Sequence, residues 1–292
     1  MFDLPEMMTL ANEMRAALPG RRIASVEIAE QRPQWLWLTH SPEEYVRRLV
    51  GATIGPATAD GHWLRLPLEP AQALLLGDFG GRVLLHPPGA ELPKWHLRLG
   101  LDDASALTIT VQGWGYVALL SPEEEAAFQP YQHRGISPLD PRFTREHLAH
   151  LLATREDYIR KPIKSFLVHD PNVGGIGNGM LQDILYRAQL HPRHRVCDLS
   201  EDDVARLHAA LRETMALAVD QGGRDTERDL HGQPGGYTPL MDRRATGTPC
   251  PRCRTPIVKI SLLGGSCYLC PACQPWEQTP PPPRKSEEAT TS

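Results

Sequence analysis

The sequence predicts an α+β protein: a β-rich N-terminal half preceded by one helix, then a helical C-terminal half closed by a cysteine-rich hairpin. Three observations carry this. Short strand-like runs punctuated by Gly and Pro fill residues 22–120, helical periodicity dominates from 143 to 219, and five of the six cysteines fall between 250 and 273.

The first helix is read at 4–18, where Leu4, Met7, Met8, Leu10, Ala11, Met14 and Leu18 share a face and Pro19-Gly20 ends it. The runs "IASVEIA", "WLWLTH", "HWLRLPL", "ALLLGDF", "RVLLH", "WHLRLGL", "ALTITVQG" and "YVALL" then recur at intervals that suit a sandwich or a barrel. The segment "SPEEEAAFQPYQHRGISPLDP" reads as a linker. Helical periodicity is expected over 143–168, over 178–190 with Asn178 as N-cap and His191-Pro192 as stop, and over about 200–219. These signals divide the chain into an N-terminal domain 1–125, a linker 126–142, a helical domain 143–225, a cysteine-bearing module 226–276 and a Pro- and Ser/Thr-rich disordered tail 277–292.

With 41% hydrophobic and 23% charged residues, the composition is that of an ordinary globular protein. No apolar run reaches the roughly eighteen residues of a membrane span. The N-terminus carries Asp3, Glu6 and Glu13, unlike a signal peptide, so a cytoplasmic protein is expected. The net charge of −4 is unevenly spread. Residues 1–130 hold ten basic and sixteen acidic side chains, 160–197 hold six and two, and 243–276 hold five and none. Any surface for a polyanion is therefore expected in the C-terminal half.

"CPRCRTPIVKISLLGGSCYLCPAC" spaces Cys250-x2-Cys253 sixteen residues from Cys270-x2-Cys273. Two such pairs make a four-thiolate zinc site with Zn–S near ~2.3 Å, and the interval is the length of a β-hairpin. Cys267 offers a rival partner for Cys270, but the matching knuckles "CPRC" and "CPAC" favour Cys273. Four cysteines leave no open coordination position, so one structural Zn2+ is expected. Cys197 is read as a buried small hydrophobe.

Between the second and third helical segments lies "NVGGIGNG", Asn172 to Gly179, with four glycines. Such a loop ahead of a helix N-terminus can hold a phosphate through its amides, although taken alone it is more often tight packing between helices. The longer stretch "IKSFLVHDPNVGGIGNGMLQDILYRAQLHP" is very similar to the helix–two-turn–helix segment of the formamidopyrimidine-DNA glycosylase / endonuclease VIII family. "GGYTPLMDRRATGTPCPRC…CPACQ" resembles that family's lead-in to its zinc finger, and "MFDLPEMMTL" its N-terminus. The resemblance runs in order from Met1 to about Gln274.

The resemblance implies a β-sandwich N-domain, a helix–two-turn–helix domain with a β-hairpin zinc finger, and damaged or abasic duplex DNA in the cleft between them. It further implies extrusion of the lesion nucleotide, attack on C1′ by an N-terminal proline amine, and acid help from an adjacent glutamate. Much of that equipment differs here. Phe2 stands in the proline's place, which leaves the Met1 amine as the free one, and Asp3 replaces the glutamate, with Glu6 as a further acid. The family's sandwich lysine aligns with His62, its histidine with Leu75 and its void-filling methionine with Asp78. The loop carrying its intercalating arginine and aromatic reads "QGWGY", so Trp114 or Tyr116 could stack on a base, and the finger arginine aligns with Gly265. Asn178 matches the family's phosphate-binding position.

The candidate DNA-binding residues are thus His62, Lys164, Gly175, Gly177, Asn178, Arg252 and Lys259, and the candidate catalytic residues Met1, Asp3 and Glu6. The expected function is a damaged-DNA-binding base-excision repair glycosylase/AP lyase with catalysis altered or lost. The alternatives are a non-catalytic relative that binds nucleic acid or a nucleoprotein (RNA included), or a zinc-stabilised scaffold contacting only protein. A monomer is expected. The segment Gly222 to Gly236, which matches the lesion-reading loop, names no lesion.

Overall fold

The computed structural model describes residues 2–169 and 172–276; Met1 and the tail 277–292 lie outside them. Helix α1 (Leu4–Ala17) begins at Asp3, which sits in an extended N-cap conformation. Its backbone N–H donates to the Glu6 carboxylate at 2.8 Å, half of a capping box that fixes where the helix starts. Next come β1 (Ile23–Ile28), β2 (Trp35–Leu38), α2 (Pro42–Leu49), β3 (Thr53–Ile54), β4 (Thr58–Asp60) and β5 (Trp63–Glu69). They are followed by β6 (Gln72–Gly77), β7 (Gly80–His86), β8 (Leu97–Leu101), β9 (Ala106–Gln112) and β10 (Trp114–Leu120). All eight strand-like runs are strands. Helix α2 was not expected among them. Its signals are local: the Ser41 hydroxyl accepts from the Glu44 amide, Glu43 and Glu44 fill the first turn, and Arg47 and Arg48 the last.

The strands form two sheets, ordered β1-β8-β9-β7 and β2-β10-β6-β5-β3, with β4 paired to β5. They pack face to face around Leu64, Leu66, Leu74, Leu76, Val83, Leu99, Leu107, Ile109, Val117 and Leu119, a β-sandwich in which alternate side chains of each strand meet in the middle. Only β2 runs parallel to its neighbour, pairing Trp35 with Trp114 and Trp37 with Tyr116 along the sheet's edge.

The C-terminal half holds α3 (Pro122–Ala127), α4 (Gln129–Gln132), α5 (Arg145–Thr154), α6 (Ile163–Leu167), α7 (Asn178–Ala188) and α8 (Glu201–Asp220). The helix expected over 143–168 is two helices: α5 ends at Thr154, turns occupy 156–160, and Pro162 caps α6. Asn178 is the first residue of α7 and Gly177 its N-cap, one residue earlier than expected. The hairpin β11 (Val258–Leu262) and β12 (Gly265–Leu269) fills the interval between the cysteine pairs. No helix of the described residues is long and apolar enough to cross a membrane.

The two halves share their cores. Phe2, Met7, Leu10 and Met14 belong to the sandwich core, but Leu4 is buried with Ile163, Phe166, Ile176, Met180 and Leu181 of the helical domain. In return, Leu230 of the C-terminal half is fully buried in the sandwich core, its amide donating to Glu13 and its carbonyl accepting from Leu85. The segment around Leu230 is therefore pinned to the N-domain.

Helix α7 ends at Gln189 in the left-handed conformation, and His191 follows, stacked on Trp276 at 5.2 Å with Nδ1 accepting from the Arg193 amide. Burial, with the charge of Arg193 beside it, pushes the His191 imidazole down from 6.5 to about 4. The unfolded chain takes up this proton first as the pH falls through 6.5, so the contribution to stability is complete above 6.5 and lost towards pH 4. Between pH 7 and pH 5 the protein should lose about 2 kcal/mol more stability than its His191→Gln variant in denaturant titrations. Equal losses would show that His191 is not held neutral.

Candidate nucleic-acid interface and metal centre

The metal centre is the simplest part of the site. The Sγ atoms of Cys250, Cys253, Cys270 and Cys273 all lie within 4.8 Å of one another, with Cys250 to Cys273 at 3.8 Å and Cys253 to Cys270 at 3.3 Å. A tetrahedron with Zn–S of ~2.3 Å has edges of about 3.8 Å, so this donor set fits one structural zinc. Cys267 is buried apart from the four and receives the Lys164 ammonium at 3.4 Å. Tyr186 of α7 ties the centre to the helical domain, its hydroxyl 3.3 Å from Cys250 Sγ and its ring beneath the Arg252 guanidinium at 5.1 Å. Cys197, expected to be buried, is exposed beside Asp198, because the short helical turn that carries it lies on the surface.

The glycine loop proves to be two things. Residues Gly174 to Gly177 are buried, while Asn178 is exposed and Gly179 half-buried. At Gly175, with φ +82°, a Cβ would come within 2.6 Å of Leu4 Cβ, and its carbonyl accepts from the Leu4 amide at 2.9 Å. The expectation that Gly175 and Gly177 offer a surface to phosphate is thus corrected: this half of the loop is packed between α1, the Gly61 turn and the linker. Its other end opens outward. Asn178 Nδ2 donates to the Ser266 carbonyl of the hairpin at 3.3 Å, so helix N-terminus and finger meet there.

Lys164 is also buried, and its ammonium donates to the Leu262 carbonyl at 2.9 Å. A desolvated ammonium needs acceptors, and the hairpin tip supplies one. Lys164 braces the finger rather than facing solvent. Arg252 and Lys259 are exposed on the finger. A hollow of about 300 Å³ where α7 begins is lined by Asn178, Gly179, Gln182, Arg224, Asp242, Arg243 and Arg244.

On the N-terminal side, Phe2 is wholly buried, its ring 5.1 Å edge-to-face from Phe79. Its nitrogen is an amide that donates to the Phe79 carbonyl at 2.9 Å. Asp3 is buried as well. One carboxyl oxygen accepts from the Met180 amide in the first turn of α7 at 2.8 Å, so the chain's own Asp3 side chain occupies part of that helix's N-terminus. The other oxygen, Oδ1, has no hydrogen-bond partner among the described residues. Burial raises the Asp3 pKa, with Glu6 adding to it and Arg224, His62 and the Met180 amide opposing it. Glu6 behaves oppositely. Burial disfavours its charge, but Arg224 overrides this and holds the carboxyl below its usual range. The backbone amide, Nε and Nη2 of Arg224 all donate to Glu6, at 2.9, 3.1 and 3.0 Å. A side chain at Gly179 would collide with the Arg224 guanidinium, which is why that position is glycine.

His62 is buried in the turn ahead of β5, close enough to Asp3 to favour its ionised form, and is not presented to solvent. It lines a cleft of about 510 Å³ with Trp63, Asp78, Tyr116, His133 and His169, which brings together the sandwich, the linker and the helical domain. Leu75 is fully buried and far from acting as a donor, whereas Asp78 borders the cleft. Two residues of the junction escaped the sequence reading. Arg224 is paired to Glu6 across 218 residues of chain. Asp183 accepts from the Tyr237 hydroxyl and the Leu240 and Met241 amides, tying α7 to the lead-in of the finger. Neither has a local signal.

Comparison with known proteins matches this arrangement throughout its length. The formamidopyrimidine-DNA glycosylase N-terminal domain matches residues 1–112, that enzyme's H2TH domain matches 135–229, and the zinc finger found in FPG and IleRS matches 247–275. The chain is 32% identical over 283 residues to the formamidopyrimidine-DNA glycosylase of a Roseiflexus species, covering 94% of this chain and 100% of the relative. It is 32% identical over 289 residues to that of Chloroflexus aurantiacus, covering 96% and 100%. Among solved structures, the wild-type Lactococcus lactis enzyme in complex with DNA containing N7-benzyl-Fapy-dG has a TM-score of 0.84 at 25% identity, covering 94% of this chain and 100% of that one. The same enzyme with abasic-site DNA gives 0.82 at 25%, covering 93% and 99%. With its β-sandwich, helix–two-turn–helix domain and four-cysteine hairpin all in the family's order, the chain belongs to the formamidopyrimidine-DNA glycosylase family of DNA-repair proteins.

Proposed function

We propose that this chain binds damaged or abasic duplex DNA at the junction of its two domains, and that the family's glycosylase/AP lyase chemistry is altered or lost. One observation carries the second half of this reading. Phe2, which stands in the proline's place, brings no secondary amine, and its side chain is wholly buried in the core against Phe79. The family's nucleophile is a proline amine, and a phenylalanine held in the core does not supply it. Support for binding comes from family membership and from the exposed Asn178, Arg252 and Lys259 around the finger.

A second reading keeps an enzyme. It is favoured by Asp3, a buried carboxyl with a raised pKa and an unpartnered oxygen at the position of the family's acid. In that case the Met1 amine forms the Schiff base.

Fluorescence anisotropy and product gels on an abasic-site duplex test the proposal together. The full chain should bind, with affinity falling as salt rises. Asn178→Ala should weaken binding about tenfold, in line with the roughly 1.5–3 kcal/mol of a hydrogen bond to a charged group. Strand cleavage should stay at the level of buffer alone. Binding indifferent to Asn178 would remove the interface, and cleavage that depends on Asp3 would establish the second reading.

A further inference from the structure

Half of the chain's six tryptophans sit on one exposed edge. Trp35, Trp37 and Trp114 are 55%, 39% and 49% exposed, where large aromatics are ordinarily covered. Their placement follows from the parallel pairing of β2 with β10, which sets Trp35 beside Trp114 and Trp37 beside Tyr116. Trp37 stacks on Tyr116 with ring centroids 4.9 Å apart, and Trp35 lies 6.3 Å from Trp37. The other half of this sheet face is covered by the linker, whose Phe128 and Tyr131 pack on Trp63. The cover ends at Tyr116, and beyond it the aromatic faces are open.

Two features say what belongs there. Tyr116 also lines the interdomain cleft, so a strand leaving that cleft is led onto the row. At the far end, within three residues of both Trp35 and Trp114, a hollow of about 440 Å³ is lined by Gln31, Arg32, Lys94, His96 and Gln112, with no carboxylate. In a domain where acids outnumber bases sixteen to ten, a hollow with two cations and no acid is complementary to an anion. His96 adds no charge, since burial and both cations disfavour its protonation. The 6.3 Å step between Trp35 and Trp37 is nearly twice the ~3.4 Å rise of a duplex strand, whose bases are in any case paired and stacked. Separated bases can lie on such rings, as every base has a π-face to offer.

We propose that Trp35, Trp37 and Trp114 form a stacking track for the unpaired bases of single-stranded nucleic acid, with Arg32 and Lys94 holding its phosphates. The track rests on the nucleic-acid-binding reading of the adjoining cleft, with which it shares Tyr116 and the loop residue Trp114, while Trp35, Trp37, Arg32 and Lys94 are its own. The rings are mounted on strands and have only two side-chain torsions each, so little entropy is lost when a base lands.

The test is anisotropy of a labelled twelve-residue oligothymidylate and, in parallel, of an abasic-site duplex, on the full chain. A Trp35→Ala/Trp114→Ala variant should bind the single strand at least about tenfold more weakly, since each stacked base contributes on the order of 1–3 kcal/mol. Trp35→Ala alone, which leaves the loop aligned with the family's intercalating one intact, should bind the duplex as before. Trp35→Phe/Trp114→Phe should retain most of the single-strand affinity, which separates stacking from damage to the fold. Arg32→Ala/Lys94→Ala should lower the log–log salt slope for the single strand by about 1.4. Single-strand binding absent, or unchanged in the double alanine variant, overturns the track. So does a dimer that this variant converts to monomer, because the row would then be an interface between copies. Loss of duplex binding alone, with the tryptophan dependence intact, would sink the reading of the cleft and leave the track standing.

Discussion

Replacing Arg224 with alanine should destabilise the protein by about 3–5 kcal/mol, the usual result of stranding a buried charge. Glu6 is 3% exposed and Arg224 8% along their shared ion pair, so neither can turn to water when the other is lost. Among the described residues, the variant leaves Glu6 with the Asp3 amide and the backbone amide of residue 224 as donors. It also removes a positive charge that opposes protonation of Asp3. Because Glu6 belongs to α1 and Arg224 to the segment after α8, the loss falls on the seam between the domains. Urea titration with intrinsic fluorescence should therefore show a lower midpoint, and amides of Leu4 and Leu230 should exchange faster. A loss under about 1 kcal/mol would mean that water enters the seam and solvates Glu6, contrary to the burial described.

Removing the zinc should have a still larger local effect. The hairpin's own apolar cluster is small, with Met241 and Ile257 packed on Tyr186 and the buried cysteines. Metal binding in comparable fingers supplies an apparent ~10–16 kcal/mol, which is folding free energy for so small a unit. Chelation, or Cys270→Ser, should release one zinc per chain and open the β11–β12 amides to rapid exchange, while the sandwich amides keep their protection. The consequence reaches the interface. Lys164 loses the Leu262 carbonyl, and Asn178 and Gln182 lose the Ser266 carbonyl, so affinity for an abasic duplex should fall with the hairpin. A metal-free chain whose hairpin amides stay protected would contradict this assignment.

What the sequence disclosed depended on how far apart the interacting residues are. Strands such as Ala106–Gln112 and the helix Glu201–Asp220 announce themselves by period, and the zinc centre by spacing, because each signal is contained in a few tens of residues. The choice of Cys273 over Cys267 is decided in three dimensions, where Cys267 faces Lys164. Helix Pro42–Leu49 was legible in its caps but was hidden by the β-rich stretch around it. Motif matching placed the residues of the glycine loop and left their division of labour open. Gly175 answers to Leu4 and Gly179 to Arg224, both distant in sequence, and only Asn178 faces outward. For the same reason the Glu6–Arg224 pair, the Met180 amide on Asp3 and the anchoring of Leu230 had no sequence signature. Lys164 and His62 carry charge or a donor and were read as surface groups, yet each is buried against acceptors or a carboxylate that the fold brings to it.

The proposed function joins DNA binding to a second residue that is a buried phenylalanine in place of the family's proline. Borohydride trapping addresses this most directly: the full chain is incubated with an abasic-site duplex, reduced, and examined for a covalent protein–DNA band alongside a measurement of binding. The expected result is saturable binding with no trapped band. A trapped band that maps by mass spectrometry to the N-terminal peptide, and that weakens in an Asp3→Asn variant, would contradict it and show that Schiff-base chemistry survives on this chain.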